Sequence, residues 1–138
     1  MHTRTFVGLC RYDQGLSGVD RSRVMKAHID EEGSMTQVAL KEDGSVAGYS
    51  VVHAMTDGSW YFYLLAAESQ DLALMLIRNV ALCCPSTRKV GVVLVSPLWP
   101  NEEESFVVRS LGWKIAQKSV CRFTEHEIKF DYSRIFSM

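Results

Sequence analysis

The segment from Val90 to Trp113 constrains the fold of this chain more than any other. It opens with the apolar run VGVVLV, passes Pro97 and Pro100, and closes with NEEESFVVRSLGW. The apolar run, over residues 89 to 95, reads as a buried strand, and the prolines mark a turn. Asn101 can cap a helix, and Leu111-Gly112-Trp113 ends it. Residues 113 to 124 then read as a last long strand. A strand, a helix and a second strand in this order imply a right-handed parallel crossover.

The rest of the chain supplies the other half of a sheet. Thr5 to Tyr12 reads as a short first strand. Asp20 can cap a helix running to about Asp30, with Val24, Met25, His28 and Ile29 on one face and Gly33 ending it. MTQVALK, VAGYSVVHAM and WYFYLLAA follow, separated by Glu42-Asp43-Gly44-Ser45 and Thr56-Asp57-Gly58-Ser59. Asp-Gly between apolar runs is a hairpin signal, so residues 35 to 67 predict a three-stranded antiparallel meander. A helix then runs from Ser69 or Gln70 to Cys84, stopped by Pro85. It carries Leu72, Ala73, Met75, Leu76, Ile77, Val80 and Cys83, which implies deep burial. The expected order is β-α-β-β-β-α-β-α-β. This is an α/β chain with a mixed sheet, an antiparallel meander followed by parallel β-α-β units, and helices on both faces.

Composition bounds the partners. The chain has 138 residues, which predicts a single domain over 1–138. With 15 basic and 16 acidic residues it has a net charge of −1, which argues against nucleic acid or an anionic membrane as the main partner. No apolar run has the length of a membrane span, and the N-terminus lacks a signal-peptide core. Cys10, Cys83, Cys84 and Cys121 read as free, largely buried thiols in a reducing compartment, so a cytoplasmic or nuclear location is expected. The vicinal pair lacks zinc-knuckle spacing, and the four histidines, His2, His28, His53 and His126, are dispersed, so no metal site is expected. No nucleophile elbow or phosphate-binding glycine loop is present.

The element order and two segments, VALKEDGSVAGYSVV and NEEESFVVRSLGW, resemble the GNAT acyltransferase superfamily over about residues 5 to 125. The likeness is greatest to the domain in the C-terminal half of YitH/HolE-type GNAT proteins. It implies transfer of an acetyl or acyl group from acetyl-CoA, or another acyl-CoA, to a small-molecule or peptide amine. It also implies a free-standing half, or the C-terminal half of a longer two-domain protein, that pairs with a second copy or another GNAT domain. The coenzyme diphosphate would sit on backbone N–H groups at a helix N-terminus. That places it on Glu68, Ser69, Gln70, Asp71, Leu72 and Ala73, where only Ala73 keeps the family pattern. Glu68 replaces a donor, and Asp71 replaces a glycine. A capping role for Ser69 to Asp71 is the other reading of the same residues. A backbone N–H near Leu64, Leu65 or Ala66 would meet the thioester carbonyl.

The later helix repeats the mixture. Asn101, Leu111, Gly112 and Trp113 keep the family's structural positions. Glu104 replaces a small residue facing the coenzyme, though as the third helical residue after Asn101 it forms something close to a capping box. Val108 replaces the tyrosine that serves as general acid, and valine has no proton to give. Glu68 is the best-placed base, with His53, Tyr61 and Tyr63 as cleft or packing residues. These departures leave a non-catalytic binding or dimerisation module as the alternative function. Ile128, Phe130 and Tyr132 alternate in the tail and predict either one more strand or a partner surface.

Overall fold

Three antiparallel strands form where the turn residues place them. The computed structural model describes residues 3–84, 90–96, 106–115, 117 and 131–137. Strands β1 (Ser34–Leu40), β2 (Val46–Ala54) and β3 (Trp60–Ala67) pair in sequence order. Both turns close through an aspartate. Asp43 accepts from the Ser45 N–H and hydroxyl at 2.8 and 2.6 Å, and Asp57 does the same for Ser59 at 2.9 and 2.6 Å. Gly44 and Gly58 take positive φ values of 79° and 85°, which a Cβ would oppose.

Gly48 on β2 is needed for another reason. It pairs with Ala67 across β3, and a Cβ there would stand 2.9 Å from the Ala66 carbonyl oxygen. Backbone cannot swing away as a side chain can. Gly48→Ala is therefore expected to cost about 1–3 kcal/mol, read from the urea midpoint at unchanged slope.

The crossover helix also matches its sequence signals. Helix α3 spans Gln70–Cys83, with Ser69 as N-cap accepting from the Leu72 N–H at 3.2 Å. Ala73, Leu76, Ile77 and Val80 bury one face against Val52, Phe62, Leu65 and Ala67. Met75 and Cys83, expected on that face, are exposed. Strand β4 (Val92–Leu94) then joins β3 in parallel, as the crossover requires.

The first element departs from expectation. Residues 5 to 12 lie in helix α1 (Thr3–Ser17), not in a strand. Its buried residues are Leu9, Asp13, Leu16 and Ser17, a helical spacing. Two of these four are polar, which hides the apolar period. Helix α2 (Ser22–Asp30) follows. Asp20 accepts from the Ser22 N–H at 2.9 Å just before it, while the cap position itself is Arg21. Met25 is buried, whereas Val24, expected beside it, is exposed. Gly33, at φ 81°, lies in the turn leading to β1 rather than at the helix end.

Helices α1 and α2 cover one face of the sheet through Leu9, Leu16 and Met25, packed with Tyr49, Val51 and Leu64. Helix α3 covers the other face. Among the described residues the order is α-α-β-β-β-α-β-α followed by a 3-10 turn and a strand.

The tail joins the core. After a 3-10 turn at Tyr132–Arg134, strand β5 (Ile135–Ser137) pairs antiparallel with β3. Ile135 and Phe136 are buried on opposite faces of the sheet. Strand β5 lies a few residues beyond the alternating tail positions, of which Tyr132 is in the 3-10 turn. Asp131 sets its start by accepting from the Ser133 N–H and hydroxyl, and the Asp131 N–H donates to the Leu16 carbonyl at 2.8 Å. Helix α4 (Phe106–Leu111) occupies the later helical segment. Trp113 to Ile115, expected to open the last long strand, carry no strand pairing. Residues 118 to 124, with Asn101, Glu104, Cys121, His126, Ile128 and Phe130, lie outside the described residues.

Candidate functional site

The site begins at an irregularity in β3. Val51 pairs with Leu64, but the next residue, Val52, pairs with Phe62, so Tyr63 is the extra residue of a β-bulge. The other edge of β3 changes partner at the same point. Trp60, Tyr61 and Phe62 pair with β4, whereas Leu65 and Ala66 pair with β5. Tyr63 and Leu64 lie between the two partners. A bulge twists its strand and interrupts the ladder, so the sheet divides here.

The N-terminus of α3 lies beyond the far end of β3. Of its leading amides, Leu72 donates to the Ser69 hydroxyl and Ala73 donates to the Ser69 carbonyl. The N–H groups of Gln70 and Asp71 remain at the helix end, where the dipole favours an anion. The Asp71 carboxylate in this first turn already supplies negative charge. The backbone therefore fits a phosphate, while Asp71 opposes one. Ser69 both caps the helix and orients this end.

The structure separates the residues that sequence reasoning placed together. Leu64, Leu65, Ala66 and Ala73 are buried and offer backbone groups only. The edge of β3 at Leu65 and Ala66 is taken by Ser137 and Ile135, so among the described residues the unpaired stretch of that edge lies one or two residues earlier. Glu68 bonds to the Ala47 carbonyl through its N–H, and its carboxylate pairs with Lys41 at 2.7 Å. It follows Tyr63 by five positions, roughly 16 Å along an extended chain. Glu68 thus flanks the α3 end rather than the bulge. Val108 falls within α4.

A cluster that sequence reasoning missed surrounds Tyr63. His28 from the last turn of α2 lies against the Tyr63 ring, centroids 3.6 Å apart, and His53 from β2 lies 5.5 Å from His28 and 5.6 Å from Tyr63. Glu31, one residue past α2, places a carboxylate oxygen 3.0 Å from His53 Nδ1 and 3.8 Å from His28 Nδ1. Burial and the nearby His53 lower the His28 pKa, which keeps its ring neutral near pH 7. The only local signal is the i,i+3 spacing of His28 and Glu31; His53 arrives through the tertiary fold.

Comparison with known proteins agrees with this architecture. Among the described residues, no helix is long and apolar enough to cross a membrane. No curated protein matches the sequence. Two solved structures of the BH1408 protein from Bacillus halodurans, a single-substitution mutant and a tetramutant, share the fold with TM-scores of 0.57 at 15% identity. The first covers 88% of each chain and the second 89%. A family model described as an acetyltransferase (GNAT) domain matches residues 9–135. With a mixed sheet, helices on both faces and a family match over most of its length, the chain belongs to the GNAT acetyltransferase domain family.

Proposed function

We propose that the chain is an N-acyltransferase domain that moves an acetyl or other acyl group from coenzyme A to an amine. Family membership supports acyl transfer in general. The observation that carries the reading to this chain is the division of β3 at Tyr63 and Leu64, between the β4 and β5 pairings. In this reading the backbone at that division receives the thioester carbonyl, and the Gln70 and Asp71 amides hold the diphosphate. The bound coenzyme would supply the activated acyl group.

Calorimetric titration of the whole chain with acetyl-CoA tests the reading. Binding at or below millimolar concentration is expected, and the absence of heat or thermal shift at millimolar coenzyme overturns it. Asp71→Gly removes a like charge beside the diphosphate. It is expected to tighten acetyl-CoA binding about fivefold, from on the order of 1 kcal/mol of repulsion in a partly wet site. An unchanged affinity in the same titration would mean that the diphosphate lies elsewhere.

One observation favours a second reading, a non-catalytic module. Strand β5 lies on Leu65 and Ala66, the stretch the family resemblance gives to the coenzyme. A chain that fails to bind acetyl-CoA both as wild type and as Asp71→Gly fits this second reading.

A further inference from the structure

The geometry points to a divalent transition-metal site of the zinc class formed by His28, Glu31 and His53 beside Tyr63. The three residues come from the end of α2, the turn after it and β2. Each offers one ligand atom, and these atoms lie within 4.8 Å of one another. Glu31 is the hub, with one oxygen 3.0 Å from His53 Nδ1 and 3.8 Å from His28 Nδ1. Tetrahedral coordination with bonds of about 2.0–2.1 Å separates neighbouring ligand atoms by roughly 3.4 Å. The two Glu31 separations bracket that value, and the remaining pair, His28 and His53, lies within 4.8 Å, so closure of the two rings on one ion brings the set to metal geometry.

A second observation is independent of the spacing. His28 Nδ1 is buried and has no hydrogen-bond partner among the described residues. A buried polar atom without a partner costs roughly 1–3 kcal/mol, and a metal ion would use its lone pair. The ring is also held in place, because Tyr63 packs against it at 3.6 Å between centroids. Two imidazoles and a carboxylate suit zinc or cobalt better than calcium or magnesium, which prefer all-oxygen sites. Three protein ligands leave one position for water or a substrate atom, the arrangement of catalytic rather than structural zinc. Glu31 is more than half exposed, so the ion could enter from solvent.

The inference stands apart from the acyl-transfer reading, and so does its test. Metal-free whole chain is titrated with Co2+ and then with Zn2+, followed by absorption and calorimetry. One Co2+ per chain, a visible ligand-field band, and loss of that band on adding Zn2+ are expected. Glu31→Gln and His28→Ala should each weaken binding at least about tenfold. Glu31 lies on an exposed turn, so its variant decides the matter even if His28→Ala does not fold. Absence of stoichiometric binding overturns the site, as does wild-type affinity in Glu31→Gln. A thiolate-to-cobalt charge-transfer band would place the ion on cysteine and overturn it as well.

Discussion

Asp13→Ala is expected to lower the unfolding free energy by about 3–5 kcal/mol, the cost of stranding one partner of a buried ion pair. Asp13 is only 1% exposed although it lies on a helix of a small domain. Its carboxylate accepts two bonds from the Arg21 guanidinium, at 2.9 and 2.6 Å, and one from the Tyr49 hydroxyl at 2.5 Å. These contacts join α1, the start of α2 and β2. Removal of the carboxylate leaves a half-buried guanidinium and a buried hydroxyl without the group they both serve. Urea denaturation measures the loss. The double variant Asp13→Leu with Arg21→Met should recover a large part of it, because a buried pair replaced by apolar groups is often neutral. Failure of that recovery would mean that the aspartate acts through something other than its charge. Burial, and then the Asp13 carboxylate, push the Tyr49 hydroxyl far above its ordinary value. Stability from the protonated phenol is therefore complete below about pH 10, the unfolded value, and is lost as pH rises through the folded one.

Phe62→Ala carries a comparable expected loss, about 3–5 kcal/mol. Phe62 is fully buried and packs under α3 in the cluster with Val52, Leu65 and Leu76. It is also the last β3 residue paired with β4, opposite Leu94, before the bulge. Truncation opens a cavity at the point where the sheet divides. Strand β4 has only three residues, all paired with Trp60 to Phe62. Calorimetry should report the loss, and amide exchange should rise first at Val92, Val93 and Leu94. Equal acceleration throughout β1 and β2 would show that the division depends on the whole sheet and not on this ring.

The sequence made legible what short-range chemistry determines. Asp43-Gly44 and Asp57-Gly58 close turns through contacts two residues away, so the meander could be placed. Ser69 and the apolar face from Ala73 to Val80 located α3 for the same reason. Helix α1 was hidden because Asp13 and Ser17 occupy core positions, and an aspartate at a core position breaks the apolar period. The run WYFYLLAA is apolar throughout, so nothing in it marks Tyr63 as a bulge. The bulge depends on register against β2, a long-range property. The His28, Glu31 and His53 cluster was illegible on similar grounds, since His53 meets the other two only after β2 packs beneath α2. Alternation in the tail pointed to a strand; Ile128 and Phe130 lie outside the described residues, Tyr132 falls in the 3-10 turn, and β5 begins at Ile135.

The change of partner along β3 also has a consequence for how the protein is made. Among the described residues, Leu65 and Ala66 find their edge partners in Ser137 and Ile135. Every residue from 67 to 134 must leave the ribosome before that edge closes. Until then a nascent chain with a finished meander presents an apolar strand edge, the feature most prone to pair with a neighbouring molecule. Closure also joins residues far apart in sequence, which is slow compared with hairpin formation. The interval between forming β3 and capping it with β5 is thus the vulnerable stage of synthesis.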